Sequence, residues 1–360
     1  AVLGRVGADE FALALVAPAG LDAPLWLQRL LTRLQAALAA PLAPAPGRAL
    51  TVGVAIGCAE LRHGDAALAL LHAVAARRHA APGDPRVHRY EDHDDARRLE
   101  QALRRAIAAD AIDLAFQPQV ALDDGRLVGV EALARWTLPD GQAVPPSTFI
   151  ALAERRGLVV ALGERVLARA LGTLARWRAA GLALPVMAVN VSAPQFQQPG
   201  FERHLADALA QHGLPAGLLE LELTESILLG QAQAALQTLH ALRGLGVRLS
   251  IDDFGTGYSS LAYLRRFPID RLKIDRSFVA EMAHDDSARE IVRLIVALAE
   301  QLGLRSLAEG IETPEQLALL RAMGCDEGQG YLLGRPVAAD ALAALLAAPP
   351  WPDAFAAAAP

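Results

Sequence analysis

The chain has 360 residues, a formal net charge of −6, and 53% hydrophobic against 21% charged residues. That is enough for a barrel of about 250 residues beside a smaller unit of about 100, and the hydrophobic share excludes a disordered chain. The acidic balance argues against a nucleic-acid polymer as partner, because such proteins present a basic face, and no apolar run reaches the ~20 residues of a membrane helix.

The two cysteines, Cys58 and Cys325, are too far apart in sequence to suggest a disulfide framework or a zinc spacing. A reducing cytoplasm is therefore the expected location. The opening Ala1-Val2-Leu3 is neither a signal peptide nor an initiator Met. It reads as a cut within a larger protein, so the chain is expected to be the cytoplasmic part of a longer, membrane-anchored sensor or of a soluble one. No membrane contact is expected within the chain itself.

Residues 1–90 suggest an incomplete α/β unit. Phe11–Val16 is strand-like, Trp26 to about Leu42 has helical apolar spacing, Ala49–Ala59 reads as a second strand, and Asp65–Arg78 as a helix. Pro82-Gly83-Asp84-Pro85 then breaks the pattern. Residues 91–110 read as a linker helix, with Leu99, Leu103 and Ile107 at four-residue steps.

From Leu114 short apolar runs alternate with helical stretches. The runs are Leu114–Val120, Leu127–Leu133, Val186–Val191, Leu218–Leu223, Val247–Asp252, Arg271–Asp275, Arg305–Glu309 and Gly328–Leu333. This order predicts an α/β fold, a TIM-like (β/α)8 barrel over residues 97–347. Asp123-Asp124-Gly125 is too short for a crossover helix, so the first strand should be antiparallel to the second. Residues 348–360 form an Ala/Pro-rich tail.

Strand after strand closes on an acid or amide: Glu131, Asn190, Glu222 with Glu225, Asp252-Asp253, Lys273 with Asp275, and Glu309 with Glu312. Taken singly, each has an ordinary explanation. A strand-end acid caps the next helix, Lys273 is a solvated lysine, Asp252-Asp253 before Phe-Gly-Thr-Gly is a turn, and Gln117 faces solvent. Taken together, they crowd about five carboxylates into one barrel mouth, where repulsion and desolvation cost several kcal/mol. Hard divalent cations, Mg²⁺ or Mn²⁺, relieve such a cluster. Two of them about 4 Å apart suit phosphoryl chemistry. No His falls in these runs. His93-Asp94 and His284-Asp285 lack a second His at ligand spacing, which weighs against another type of metal phosphohydrolase.

In this order the runs resemble the EAL family of cyclic-di-GMP phosphodiesterases. Glu131-Ala-Leu133 continues into Arg135-Trp136. Asn190-Val-Ser192, Glu222-Leu-Thr-Glu225, Asp252-Asp-Phe-Gly-Thr-Gly257, Lys273-Ile-Asp275, Glu309-Gly-Ile-Glu312 and Gly328-Gln-Gly-Tyr331 follow without departure. The resemblance implies hydrolysis of cyclic-di-GMP to linear pGpG with two Mg²⁺ or Mn²⁺ ions. Glu131, Asn190, Glu222 and Asp252 would hold one ion; Asp252, Asp253 and Glu309 would hold the second. Lys273 would orient the attacking water, and Glu225 would hold the Asp253–Tyr258 loop. Gln117, Glu131, Leu133, Arg135, Asp275 and Gln329 would face the dinucleotide, with Glu312 supporting. The resemblance also implies a homodimer through the barrel. The alternative is a cyclic-di-GMP receptor without turnover, which loss of metal ligands would signal.

Residues 1–90 resemble, more weakly, the C-terminal part of a GGDEF domain. Arg5-Val-Gly-Ala-Asp-Glu-Phe11 has Ala8 where that family has Gly, and Ala73–His79 lacks its usual acidic and tyrosine positions. A degenerate half-domain of this kind is not expected to synthesise the dinucleotide.

Overall fold

The computed structural model describes residues 2–5, 11–15, 26–27, 29–34, 42–45, 48–50, 56–58, 87–89, 93–182, 186–225, 227, 232–255 and 264–347. It divides into two compact units, Ala1–Leu99 and Glu100–Pro360.

In the smaller unit Val2–Arg5 pairs antiparallel with Phe11–Ala14, Leu42–Ala45 antiparallel with Arg48–Leu50, and Ile56–Cys58 parallel with Val87–Arg89. The expected strand at Phe11 is present. The expected helix from Trp26 has helical residues between 26 and 34, but Leu42 lies in a strand. Of the expected strand Ala49–Ala59, residues 49–50 lie in the strand paired with Leu42–Ala45 and Ile56–Cys58 pairs with Val87–Arg89, while residues 51–55 and 59 lie outside the described residues. The expected helix Asp65–Arg78, the interior of the Arg5–Phe11 motif and the Ala73–His79 stretch lie outside the described residues, as does the tail 348–360.

The linker helix spans His93–Ala108 and buries Leu103 and Ile107. The barrel strands follow, numbered from the start of the barrel: β1 (Asp113–Ala121), β2 (Leu127–Thr137), β3 (Met187–Asn190), β4 (Leu219–Thr224), β5 (Arg248–Phe254), β6 (Arg271–Ile274), β7 (Arg305–Ala308) and β8 (Glu327–Gly328). Seven of the eight predicted runs are strands over most of their length, and the eighth, Gly328–Leu333, contributes only Gly328 to β8. β2 pairs with β3, each strand to β8 pairs parallel with the next, and β8 pairs antiparallel with β1, which closes the ring. β1 is also antiparallel to β2, as the short Asp123-Asp124-Gly125 connection predicts. A two-residue strand, Ala143–Val144, extends β2 outside the ring and carries no signal strong enough to read from sequence.

β8 is shorter than the predicted Gly328–Leu333. After Gly328 the chain turns in: Ile311 N–H donates to Gln329 O, and Leu332 N–H donates back to Ile311 O. A Cβ on Gly330 would lie 2.1 Å from Ile311 O, so only glycine permits this approach.

The strands alternate in an unusual sense. Along β4, Leu219, Leu221 and Leu223 are buried beneath the helical layer, while Glu220 and Glu222 are also buried. The helices that cover the outer face include Val159–Ala179 and Asp286–Leu302. Parallel barrels usually fill the interior with branched apolar side chains. Here the interior carries Gln117, Gln119, Glu131, Glu220, Glu222, Ser250, Asp252, Arg271 and Lys273, all buried. Among the described residues no helix is long and apolar enough to cross a membrane.

Candidate metal centre in the barrel mouth

Lys273 is wholly buried on β6. Its Nζ lies 2.8 Å from Glu222 Oε2, 2.9 Å from Asp252 Oδ1 and 2.7 Å from Glu309 Oε1. Glu222 stands on β4, two strands away from Lys273, so the contact crosses the barrel interior. The simpler reading of a solvated lysine is excluded.

Glu131 on β2 joins this group. Asn190 Nδ2 donates to Glu131 Oε1 at 2.7 Å, and Gln329 Nε2 donates to Glu131 Oε2. Gln329 Nε2 also donates to Gln117 Oε1 at 3.0 Å, and Gln117 Nε2 donates to Gly334 O at 3.0 Å. Gln117 is therefore buried in this network, not turned to solvent.

Asp253 has φ +53°, a conformation that an L-residue adopts at a cost of roughly 1–2 kcal/mol. Such strain gathers at functional positions. Oxygen atoms of Asp252, Asp253 and Glu309 lie within 4.8 Å of one another. Gly310 follows Glu309 at φ +71°, where a Cβ would lie 2.7 Å from Arg276 Cβ. The next helix, Pro314–Ala322, is fixed at its start by a capping box between Thr313 and Gln316.

Burial and mutual repulsion set the charges of the cluster. Burial, then the neighbouring Glu131 charge, holds the Glu222 carboxyl well above its ordinary range. Burial pushes Glu309 up to about 8 against the pull of Lys273, with Asp252 and Glu131 adding to the rise. Partial burial and the Asp252 charge push Asp253 up to about 6. Burial alone would raise Glu131, but Lys273 and the Gln329, Glu222 and Asn190 hydrogen bonds outweigh it and hold it low. Burial opposes the charge on Lys273, yet Asp252, Glu131, Glu222 and Glu309 raise it well above an ordinary lysine.

One ammonium does not satisfy so many acids. Lys273 Nζ reaches one oxygen each of Glu222, Asp252 and Glu309, and among the described residues no other cation lies at ion-pair distance from these three acids. A buried cluster with more carboxylates than cations fits hard divalent cations, which take oxygen ligands.

The other predicted positions are less gathered. Leu133 and Arg135 are half-buried on β2, and Arg135 Nη1 donates to Ala134 O at 2.9 Å. Asp275 caps the helix Arg276–Glu281 by accepting from Ser277 N–H at 3.0 Å, so the helix-cap explanation holds for this acid. Glu225 is buried just past β4. Residues 256–258, in the loop that Glu225 is expected to hold, lie outside the described residues. Glu312 is exposed, and its N–H donates to Gln316 Oε1. Asp285, beside His284, is an N-cap that accepts from Ser287 N–H.

A second buried layer lies outside the motif runs and is absent from the residues singled out in the sequence. Arg271 lies 2.5 Å from Glu220 and 2.7 Å from Glu327, and its Nη1 donates to Gln119 Oε1 at 3.2 Å. A signal for it exists: with a period of two, Glu220 shares a face with Glu222, and Arg271 with Lys273.

A family model described as EAL domain matches residues 100–336. The bifunctional diguanylate cyclase/cyclic di-GMP phosphodiesterase MucR of Pseudomonas aeruginosa is 39% identical over 353 residues, 96% of this chain and 51% of that protein. The cyclic di-GMP phosphodiesterase NbdA of the same organism is 38% identical over 357 residues, 96% of this chain and 45% of that protein. The chain thus spans about half the length of these curated relatives. A solved structure of the PaMucR phosphodiesterase in complex with c-di-GMP is 45% identical with a TM-score of 0.66, covering 68% of this chain and 99% of that one. The c-di-GMP-bound EAL domain of FimX from Pseudomonas aeruginosa is 26% identical with a TM-score of 0.60, covering 66% of this chain and 96% of that one.

Proposed function

Since the chain belongs to the EAL domain family, we propose that its barrel hydrolyses cyclic-di-GMP to linear pGpG with two Mg²⁺ or Mn²⁺ ions. The observation that carries this reading is the convergence of buried Glu222, buried Asp252 and half-buried Glu309 on the wholly buried Lys273, with buried Glu131 close by. The relation to MucR and NbdA supports the substrate.

Glu131, Asn190, Glu222 and Asp252 would hold one ion, and Asp252, Asp253 and Glu309 the other. Asn190 spends its Nδ2 on Glu131, which leaves its Oδ1 as the atom to offer a cation. Bound cations supply positive charge to phosphodiester oxygens and make a water acidic enough to attack. Lys273, held by three carboxylates, would orient the attacking water. Gln117, Leu133, Arg135 and Gln329 face the dinucleotide, the Arg135 guanidinium suiting its phosphate. Asp275 and Glu312 act from the edge, and Glu225 steadies the segment after Asp253. Incubation with cyclic-di-GMP and Mn²⁺, with products resolved by chromatography, tests the reading. Binding without product would leave the receptor alternative.

Residues 1–90 are proposed as the C-terminal part of a degenerate GGDEF domain. The alignment with MucR, which runs through this region, supports it. A chain cut to residues 92–360 should keep at least half the parent's turnover, because every proposed ligand lies beyond Leu114. A folded but inactive product would show that the N-terminal unit is required. The barrel is also proposed to form a homodimer, as the resemblance to the EAL family implies.

Ca²⁺ should inhibit. It is larger than Mg²⁺ and takes looser coordination, which misplaces the water, and a 1 Å error costs about 100-fold. Turnover in Ca²⁺ equal to that in Mg²⁺, or persisting in excess chelator, would contradict the cation requirement.

A further inference from the structure

We propose that Arg271 is a positioning residue for the Glu131–Asn190 cation site, acting through Gln119 and Gln329. The inference rests on the cation site proposed above.

The argument is one of hydrogen-bond direction. A guanidinium only donates. Arg271 Nη1 donates to Gln119, which fixes the Gln119 oxygen toward Arg271 and its Nε2 away. Gln119 Nε2 then donates to Gln329 Oε1 at 3.0 Å. Gln329 is thereby left with its Nε2 facing Glu131 and Gln117, and both of its N–H groups are used. Glu131, an acceptor, takes the final bond and a second from Asn190. A donor-only group at one end and an acceptor-only group at the other thus set two amides in one direction.

Arg271 is itself held by Glu220 and Glu327, so the start of the relay is fixed. Gly129 adds a steric limit: a Cβ there would lie 3.1 Å from Gln119 Oε1. Partners that orient a metal-binding carboxylate typically change metal affinity by about 10- to 100-fold when altered.

Two substitutions in the 360-residue chain separate this role from packing. Gln119→Glu keeps the shape and the contact with Arg271, but a carboxylate cannot donate to Gln329. The Gln329 amide must reverse and set its oxygen against Glu131. Gln119→Leu removes the direction without imposing the wrong one. Mn²⁺ affinity, measured by electron paramagnetic resonance without any nucleotide, should fall about tenfold in Gln119→Glu and about threefold in Gln119→Leu. A purely structural role predicts the reverse: Gln119→Leu melts lower, and both variants bind Mn²⁺ like the parent. Parent-like affinity in folded Gln119→Glu overturns the proposal; if that variant does not fold, parent-like affinity in Gln119→Leu does. A parent that binds Mn²⁺ with the predicted variant order yet leaves cyclic-di-GMP intact overturns the functional reading alone.

Discussion

Lys273→Met is expected to lower cyclic-di-GMP turnover by about 1000-fold while the chain still binds Mn²⁺. Removing one preorganised donor from a reaction centre costs about 100- to 1000-fold in rate. Lys273 lies at the upper end because it is wholly buried and held by three carboxylates. The same change leaves Glu222, Asp252 and Glu309 without their ammonium. Breaking a buried ion pair by removing one partner costs about 3–5 kcal/mol, so the metal-free variant should melt roughly 10 °C lower. Mn²⁺ should restore more of that stability than it adds to the parent, because it meets a more negative cluster. Calorimetric melting with and without Mn²⁺, beside the turnover assay, checks both. Parent-like turnover would remove Lys273 from the mechanism.

Asp252→Asn is expected to lose one cation and lower turnover by about 1000-fold. Asp252 belongs to both proposed ligand sets: its carboxylate lies 2.9 Å from Lys273 Nζ and within 4.8 Å of oxygens of Asp253 and Glu309. An amide keeps the shape but loses the charge that holds a hard cation. A cation contributes several kcal/mol of charge stabilisation, and ~4 kcal/mol corresponds to about 1000-fold. Mn²⁺ titration should show one site fewer than the parent. Unchanged stoichiometry would place Asp252 outside the shared position.

The barrel is legible in the sequence because its strands are short apolar runs separated by helical stretches, and because Asp123-Asp124-Gly125 forces an antiparallel start. The acids are legible as strand ends. Their meeting on Lys273 is not, because the stagger of strands around a closed barrel decides which ends face one another. Glu220 and Arg271 escape notice for a related reason. Each sits two residues before a more conspicuous charge and looks like an ordinary strand-start residue until the barrel closes. The helical spacing from Trp26 overshoots to Leu42 because its apolar pattern continues into a run whose prolines favour another structure.

The most direct test of the central claim is one incubation of the chain with cyclic-di-GMP and Mn²⁺ in isotopically heavy water, with products read by mass spectrometry. Attack by water on one phosphodiester bond predicts linear pGpG carrying one heavy oxygen, and no such product in chelator. Intact cyclic-di-GMP, or linear product without the heavy oxygen, would contradict the account.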